Sequence, residues 1–476
     1  MPFIRGGFKG TIISKDAILE SRVRFLRMRR CITIFFCLFS SFIVQATHLR
    51  SGQITLKRQS GLTYLVTLKV YTNTGSEVRF GDGTLSFGDG STPVTTPDIG
   101  SALTDSPNVG IVKFSVAHTF PGAGSFVISY LEPNLDAGIL NISNSVETSF
   151  YLESKIIIES GRDNSSPDFL TDPFFRHPLG MEYSFSNEAA DNNDYRLTYD
   201  LVLPLPPGKS NFTRPENINI NYYNGLVKWD TNFKGTQQPG EYLFAVRVAQ
   251  YDKLGGQVGY VMRTFQVLLE NVNSELSTIT SIVDPNNKVF VEENKQRTVR
   301  AVLMDNALSN EVKWDVFYDN KIAANMTFSQ HDSVAGSKKI KVGLLTLQST
   351  SSIIRVNPYS ITLRGTSTTS GGVFSKDISY LFFTKDIELP VVTAVLERPG
   401  NSINAYPNPF SNFLYVDGQS DVDECEFILM DITGKVIFST KGKAGQPIDT
   451  SSLPTGLYIL QIRNALAIHP QKLVKQ

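Results

Sequence analysis

The sequence is poor in the residues that build disulfides and metal sites, and it has no excess of either charge. Its 476 residues include only three Cys, five His and two Trp, and 45 Lys+Arg balance 45 Asp+Glu. Because nucleic-acid-binding domains carry a basic surface, this balance argues against nucleic acid as a partner. Long segments with helical spacing of apolar residues are also missing, which argues against a helical fold.

The signatures of common enzymes are absent as well. The chain has no Gly-x-Ser-x-Gly, His-Glu-x-x-His, Walker or dinucleotide-binding motif. Its histidines are dispersed and show no metal-ligand spacing: His48, His118, His177, His331 and His469. The sequence therefore predicts no catalytic residue, no metal site and no resident cofactor. Carboxylates from distant segments can still converge, as they do in glycosidases, so an enzyme stays the alternative.

The N-terminal segment has the order of a secretory signal peptide. Five arginines lie between residues 22 and 30, and an apolar run follows from Cys31 to Val44. That run is shorter than the ~20 residues of a membrane span, and Val44-Gln45-Ala46 ends it with a small-x-small pattern. We predict that residues 1–46 are a signal peptide cleaved after Ala46, with Met28 as an alternative start. An N-terminal membrane anchor is the competing interpretation.

Removal of this segment changes the chemistry of the chain. It takes away eight basic and two acidic residues, so the remaining chain is mildly acidic. It also takes away two of the three cysteines and leaves Cys425, which excludes an intramolecular disulfide. No later segment is long and apolar enough to predict a transmembrane span.

The remaining chain is predicted to be all-β. Short runs of alternating or continuous apolar residues recur, for example at 64–70, 125–130, 241–248 and 260–267, and Gly, Asn, Asp and Pro bound them. Many short strands with regular turn signals are typical of antiparallel sandwiches. We expect tandem immunoglobulin-like β-sandwiches and a small C-terminal β-sandwich.

Three breaks divide the chain into four blocks. They lie at residues 160–167, 271–274 and 398–402. The predicted domains are the first block (47–160), the second block (161–272), the third block (273–396) and the fourth block (403–476). The first three are close to the ~100 residues of an immunoglobulin-like sandwich.

Two motifs characterise the first block. Residues 87–91 read Phe-Gly-Asp-Gly-Ser, a tight turn, and residues 118–126 combine a strand end, a glycine turn and the next strand. This pair resembles the polycystic-kidney-disease (PKD) domain of surface and secreted proteins, although Leu85-Ser86 replace the usual aromatic–Asp pair. Residues 47–54 resemble the start of secreted surface proteins of Bacteroidetes.

A second copy of the glycine turn raises the question of calcium. Residues 80–83 read Phe-Gly-Asp-Gly, so Asp82 and Asp89 are candidate Ca²⁺ ligands. The alternative interpretation is a self-capped turn. The absence of a dense carboxylate cluster favours that alternative.

The second block resembles a cadherin-like or immunoglobulin-like domain. The resemblance rests on an Asn-x-x-Pro-x-Phe entry at 164–169, a glycine hairpin at 224–229 and a Gly-x-Tyr strand at 240–248. Cadherin repeats bind Ca²⁺ through clustered acidic residues at their junctions, and the junction at 269–273 has one carboxylate, so calcium dependence is not implied. Residues 191–194 (Asp-Asn-Asn-Asp) are expected to form a solvated acidic turn.

The fourth block carries the most specific pattern in the chain. Its motifs are Tyr-Pro-Asn-Pro-Phe at 406–410, a turn at 431–434, a Gly-x-Tyr strand at 456–462 and a final Lys-Leu-Val-Lys at 472–475. They closely resemble the type A C-terminal sorting domain of type IX secretion. The residues that match this pattern are Pro407, Asn408, Pro409, Phe410, Asp431, Gly434, Gly456, Tyr458, Lys472, Leu473 and Val474.

The resemblance implies export through the periplasm to the cell surface or the medium. It names the type IX secretion machinery as a partner, and it implies removal of the domain followed by release or attachment to surface lipopolysaccharide. The last strand is expected to be exposed and read by addition to a sheet edge. We expect a non-enzymatic adhesive or structural protein with an unidentified glycan or protein ligand; the alternative is a polysaccharide-active hydrolase or carbohydrate-binding accessory.

Overall fold

The chain folds almost entirely into β-strands. The computed structural model describes residues 49–76, 79–104, 108–253, 255–272, 277–281, 287–385, 404–406, 410–417, 425–431, 436–442, 447–463 and 468–475. The predicted signal peptide and its cleavage site at Ala46 lie outside these residues. Within them, helix is limited to short 3₁₀ turns: Ser145–Glu147, Phe233–Gly235, Asn320–Asn325 and Ser351–Ile353.

Seventeen strands lie in the described residues of the first two blocks. Those of the first block are β1 (Leu49–Ser60), β2 (Thr63–Asn73), β3 (Thr84–Ser86), β4 (Val94–Thr95), β5 (Ala102–Leu103), β6 (Val109–Thr119), β7 (Gly124–Glu132) and β8 (Phe150–Ile158). Those of the second are β9 (Asp168–Phe169), β10 (Phe174–Pro178), β11 (Glu182–Ser186), β12 (Ala189–Ala190), β13 (Arg196–Val202), β14 (Ile218–Ile220), β15 (Leu226–Asp230), β16 (Gly240–Tyr251) and β17 (Gln257–Glu270).

Fifteen more strands follow in the described residues of the last two blocks. The third block has β18 (Thr278–Ser281), β19 (Lys288–Phe290), β20 (Gln296–Asp305), β21 (Glu311–Tyr318), β22 (Met326–Ala335), β23 (Lys338–Gln348), β24 (Tyr359–Thr369) and β25 (Gly372–Phe383). The fourth has β26 (Asn404–Tyr406), β27 (Phe413–Asp417), β28 (Cys425–Asp431), β29 (Val436–Gly442), β30 (Ile448–Asp449), β31 (Gly456–Arg463) and β32 (Ile468–Lys475).

The alternating pattern of the sequence explains why these segments are strands. In β2, buried Tyr64, Val66, Leu68 and Val70 alternate with more exposed residues, because successive side chains of a strand point to opposite faces. Residues of β17 are buried on both faces, which fits its continuous apolar run. The prediction of an all-β fold built from sandwiches is confirmed.

Strand β17 joins the first two blocks into one sheet. One of its edges pairs with β16 along almost the whole strand. The other edge is divided among three strands in turn: β8 pairs near Val261, β1 pairs at Arg263 and Thr264, and parallel β10 pairs from Gln266 onward. The predicted boundary at residue 160 stays a prediction, and hydrogen-bonded sheet runs continuously across it.

The hydrophobic cores also cross the predicted boundaries. Leu243 of β16 is buried in the core of the first block, and Phe374 of β25 is buried in the core of the second. In the third block, two four-stranded sheets enclose one core: β18-β20-β23-β22 and β19-β25-β24-β21. In the fourth, β26-β27-β30 and β29-β28-β31-β32 enclose another. Trp229 and Trp314 are buried.

A buried cation lies at the joint between the first two blocks. The guanidinium of Arg263 donates hydrogen bonds to the carbonyl oxygen of Thr171 and to Oδ1 of Asn187. It lies 3.9 Å from the ring centroid of Phe169. Burial lowers its pKa to about 10, so it stays charged at neutral pH. Because a buried charge is tolerated only when it is well paired, these partners fix the side chain in place.

Two further hydrogen bonds tie β1 and β2 to the segment that contacts Arg263. Gln53 Nε2 donates to Asp168 Oδ1 over 2.8 Å, and the Tyr71 hydroxyl donates to Asp172 Oδ1 over 2.8 Å. Both carboxylates also attract the Arg263 guanidinium electrostatically. The joint is therefore polar as well as hydrogen-bonded through its backbone.

A second polar joint connects the second and third blocks. The carboxylate of Asp377 accepts two hydrogen bonds from Arg364, at 2.8 and 2.9 Å, and one from the backbone N–H of Ser186 at 2.7 Å. Ser184 Oγ donates to the carbonyl oxygen of Asp377. The Asp377 side chain is 1% exposed. Bidentate pairing of this kind is specific in geometry, so it fixes β11 against β25.

We predict that Arg263→Ala destabilises the chain by ~3–5 kcal/mol, because it leaves a cavity and unpaired buried acceptors. Arg247→Ala is the matched control: Arg247 lies on the neighbouring strand, is 41% exposed and pairs with Asp200 at 3.4 Å, so its loss should cost under ~1 kcal/mol. Urea unfolding followed by circular dichroism measures both. Equal losses in the two variants would contradict the role given to Arg263.

Candidate functional site

Three regions bear on function: the fourth block, the glycine turn of the first block, and a cleft between the second and third blocks. In the fourth block the structure brings separated motif residues together. Phe410 and Leu473 are each 1% exposed, and the Phe410 and Tyr458 ring centroids are 6.2 Å apart. The register pairs Tyr458 with Leu473 on one side and with Asp431 on the other.

The entry motif is held by the last strand. The backbone N–H of Phe410 donates to the carbonyl oxygen of Val474 over 2.8 Å. The Lys475 ammonium lies 5.6 Å from the Phe410 ring centroid and donates to the carbonyl oxygen of Ser411. Gly456 lies opposite Lys475 and Ile459 lies opposite Lys472. Of the predicted sorting residues, Pro407, Asn408, Pro409 and Gly434 lie outside the described residues.

The last strand is less exposed than the sequence suggests. Leu473 and Lys475 are buried and Val474 is 39% exposed, because β32 is hydrogen-bonded to β31 and covers Phe410. The charge of Lys475 was expected at the surface. Its ammonium instead lies over the Phe410 ring and donates to the carbonyl oxygen of Ser411.

The glycine turn of the first block is a closed hydrogen-bonded unit. Asp89 accepts hydrogen bonds from the N–H and the hydroxyl of Ser91, and lies 2.7 Å from His118 Nε2. Burial acts to raise the pKa of Asp89, but these bonds outweigh it and lower the value to about 2. The His118 ring stacks on Phe87 with centroids 3.8 Å apart.

Asp82 has different neighbours from Asp89. Its backbone N–H donates to the Thr96 carbonyl oxygen, and its charge acts on buried Glu132, whose pKa is raised to about 7 mainly by burial. Within the described ranges, no group of three His, Cys, Asp or Glu side chains is placed to hold a metal ion. Calcium binding by Asp82 and Asp89 stays a prediction.

A cleft of about 80 Å³ lies between the second and third blocks. Its lining includes three acidic residues, Glu188, Asp191 and Asp319, and the hydroxyl-bearing residues Tyr195, Tyr223 and Ser360. It has room for roughly five to eight water molecules at ~10–15 Å³ each. Polar groups from two blocks line it, and its volume is below the ~300–1,000 Å³ of a typical small-molecule site.

Glu188 is the unusual group in this cleft. Its side chain is buried and contacts the hydroxyl of Thr362. Burial raises its pKa to about 8, and the nearby charges of Asp319 and Asp377 act in the same direction. The carboxyl group is therefore neutral and protonated at neutral pH, and it can donate a hydrogen bond.

A clasp formed by Asp194, Lys321, Arg355 and Asn357 lies beside the cleft. Lys321 Nζ is 2.7 Å from Asp194 Oδ1, and Arg355 Nη1 is 3.0 Å from the same oxygen. Asn357 Nδ2 donates to the carbonyl oxygen of Asp194 over 2.8 Å. Burial acts to raise the pKa of Asp194, but the hydrogen bond and charge of Lys321 lower it overall. The clasp holds the 191–194 turn against the third block.

The expectation that residues 191–194 form a solvated acidic turn is therefore wrong for Asp191. This residue is 5% exposed and accepts hydrogen bonds from the N–H groups of Asn193 and Tyr195 and from Gln250. The sequence contained the donors and acceptors of the turn but gave no indication of Lys321 or Arg355, which lie more than 120 residues away.

Comparison with known proteins gives one family match. Residues 404–476 match the family described as the secretion system C-terminal sorting domain. The predicted type IX sorting domain is thereby confirmed, and it indicates export to the cell surface or secretion. None of the helices in the described part of the chain has the length and apolar character of a membrane span. Comparison with the curated proteins gives no match.

The chain is similar to several solved structures, but the TM-scores of these similarities are low. A sialic-acid-binding region of a Streptococcus sanguinis adhesin, bound to its glycan, shares 11% identity over 47% of this chain and 78% of its own, with a TM-score of 0.19. Three immunoglobulin domains of titin share 10% identity over 65% of this chain and 97% of their own, with a TM-score of 0.14. Four immunoglobulin domains of Dscam1 share 9% identity over 90% of this chain and 99% of their own, with a TM-score of 0.17. At these TM-scores the likenesses support neither a fold nor a function.

We predict that Glu188→Gln increases stability relative to the wild type as pH rises. The pKa of Glu188 is 4.5 in the unfolded chain and about 8 in the folded chain. Between these two pH values the folded chain keeps a proton on Glu188 that the unfolded chain releases. The wild type therefore loses stability across this window and the amide variant does not. Urea unfolding at several pH values measures the difference, and Glu182→Gln, at the exposed first residue of β11, is the control. A difference that is constant between pH 4.5 and 8 would contradict the prediction.

Proposed function

We propose that this exported chain is a non-enzymatic adhesive or structural protein of the cell surface or the medium. The observation that carries the proposal is the continuous sheet at β17, which joins the first two blocks where independent domains would leave a hinge. The Asp377 joint and the clasp extend the same rigidity to the third block. A rigid series of sandwiches ahead of a sorting domain suits a stalk that presents loops to a partner.

Several sequence-based expectations belong to this proposal. The chain enters the periplasm by a signal peptide cleaved after Ala46, and its fourth block is read by the type IX machinery through the Pro407–Phe410 entry and the β31–β32 hairpin. Removal of the fourth block then leaves the protein attached to lipopolysaccharide or free. The PKD-like character of residues 47–160 and the cadherin-like character of residues 161–272 suit the same setting.

A carbohydrate-binding accessory or polysaccharide hydrolase is the second candidate. The cleft favours it, because a protonated Glu188 shares the cleft with the carboxylates Asp191 and Asp319. Glycoside hydrolysis uses one carboxyl group as acid and a second carboxyl group on the other side of the scissile bond. The tyrosines of the walls offer faces on which a sugar ring can stack.

We predict that deletion of residues 403–476 traps the protein in the periplasm. The first three blocks have their own hydrophobic cores and should stay folded, so only delivery is lost. Cell fractionation and surface proteolysis measure the location, with the full chain and Arg247→Ala as controls. Normal surface display of the truncated chain would refute the sorting role.

A glycan array and a polysaccharide-degradation screen on residues 47–396 separate the two candidates. The adhesive proposal expects no turnover, with or without binding to a glycan or protein. Turnover that Glu188→Gln abolishes and Glu182→Gln preserves would establish the hydrolase instead. Binding that Tyr223→Ala weakens, without turnover, would place an accessory site in the cleft.

A further inference from the structure

The third block leaves one long strand edge without a partner in the described residues. Strand β22 pairs with β23 from Met326 to Ala335, and the described residues place nothing on its other edge. Every residue from 329 to 338 is exposed, although β20 continues to pair with β23 as far as Lys339. The side chain of Gln330 also accepts a hydrogen bond from the backbone N–H of Trp314 over 3.0 Å, so β22 is supported on its inner side while its outer edge faces solvent.

The other edges of the same block are protected from pairing. Strand β21 carries Glu311, Lys313 and Asp315 at alternate positions, and β18 has only four residues. Strand β22 has ten residues, with no proline and no lysine or arginine. Its carboxylate, Asp332, is paired with Lys341 of the same hairpin at 2.6 Å. Natural edges usually carry charges or proline to prevent strand addition, and the single carboxylate of this edge is already paired within the hairpin.

We propose that the free edge of β22 pairs with β22 of a second copy of this chain, antiparallel about a two-fold axis. About half of the N–H and C=O groups of an edge strand point outward, and pairing with an identical strand satisfies them on both copies. The β18-β20-β23-β22 sheet of one copy and the same sheet of the other copy then become one continuous sheet of eight strands. The interface is isologous, which is the commonest arrangement in homodimers.

The sequence of β22 selects one register for this pairing. Residues opposite each other across the axis must lie on the same face, so an odd position faces an odd one and an even position faces an even one. With His331 on the axis, Phe328 faces Val334, Ser329 faces Ser333 and Gln330 faces Asp332. The pairs are apolar with apolar and polar with polar, and no two charges of the same sign meet. Val334, which is 63% exposed in one copy, gains an aromatic neighbour.

The neighbouring register is less favourable. With Gln330 on the axis, the carboxylate of Asp332 faces the ring of Phe328. That arrangement would take the carboxylate toward an apolar side chain and leave Val334 opposite the thioether of Met326. The register centred on His331 is therefore the one to test.

The first test measures the mass of the chain from residue 47 onward by light scattering and sedimentation over a concentration series. We expect a monomer–dimer equilibrium. His331→Lys places two ammonium groups opposite each other on the axis and should weaken association roughly fivefold or more. Val373→Lys, at an exposed position of β25 in the other sheet, is the control and should associate like the wild type. A wild type that stays monomeric throughout overturns the proposal.

The second test checks the register by disulfide formation in a Cys425→Ser background. His331→Cys brings two thiols together across the axis, within the ~4.4–6.8 Å Cα separation that a disulfide needs. Ser329→Cys is the matched control, because it faces Ser333 and its copy lies four residues away, at ~13 Å. Mild oxidation should give covalent dimers with the first variant and not with the second. Equal cross-linking of both, or cross-linking of the second alone, contradicts the register.

Discussion

The structure depends on the division of one strand edge among three partners. Along β17, the edge opposite β16 pairs first with β8, then with β1 and finally with β10. Since a strand edge offers one set of hydrogen-bonding groups, each partner must end where the next begins. Arg263 lies at the middle of this edge, and its buried charge is satisfied by groups of the second block while Asp168 and Asp172, which attract it, bind side chains of the first.

Much of the fold follows from local patterns, and the joints do not. The alternation at residues 64–70 and the apolar run at 260–267 predict strands, because the sequence of each segment indicates whether one face or both faces are buried. That β17 shares its edge with β1 depends on pairing between residues more than 200 positions apart, which no local period encodes. For the same reason the four predicted blocks locate the cores approximately but not the side chains that cross between them.

The functional regions divide in the same way. The fourth block could be identified from its sequence because its motifs are short, ordered and local, and the buried position of Lys475 could not, since it requires the Phe410 ring beneath it. The cleft beside Glu188 was not foreseen, because its walls come from residues near 190 and near 355. The 191–194 turn could be read from its sequence, but its pairing with Lys321 and Arg355 could not, because both lie more than 120 residues away.

Because the chain is synthesised from its N-terminus, the β1–β17 pairing affects the order in which the sheet can form. The N–H of Gly52 donates to Thr264 Oγ1, across 212 residues of sequence. Strand β1 is made first, yet one of its neighbours does not exist until most of the second block has been translated. Contacts this distant are slow to form, and a strand that waits for its partner is open to wrong pairings in the meantime. Completion of the sheet that contains β1 is thus postponed until the second block is present.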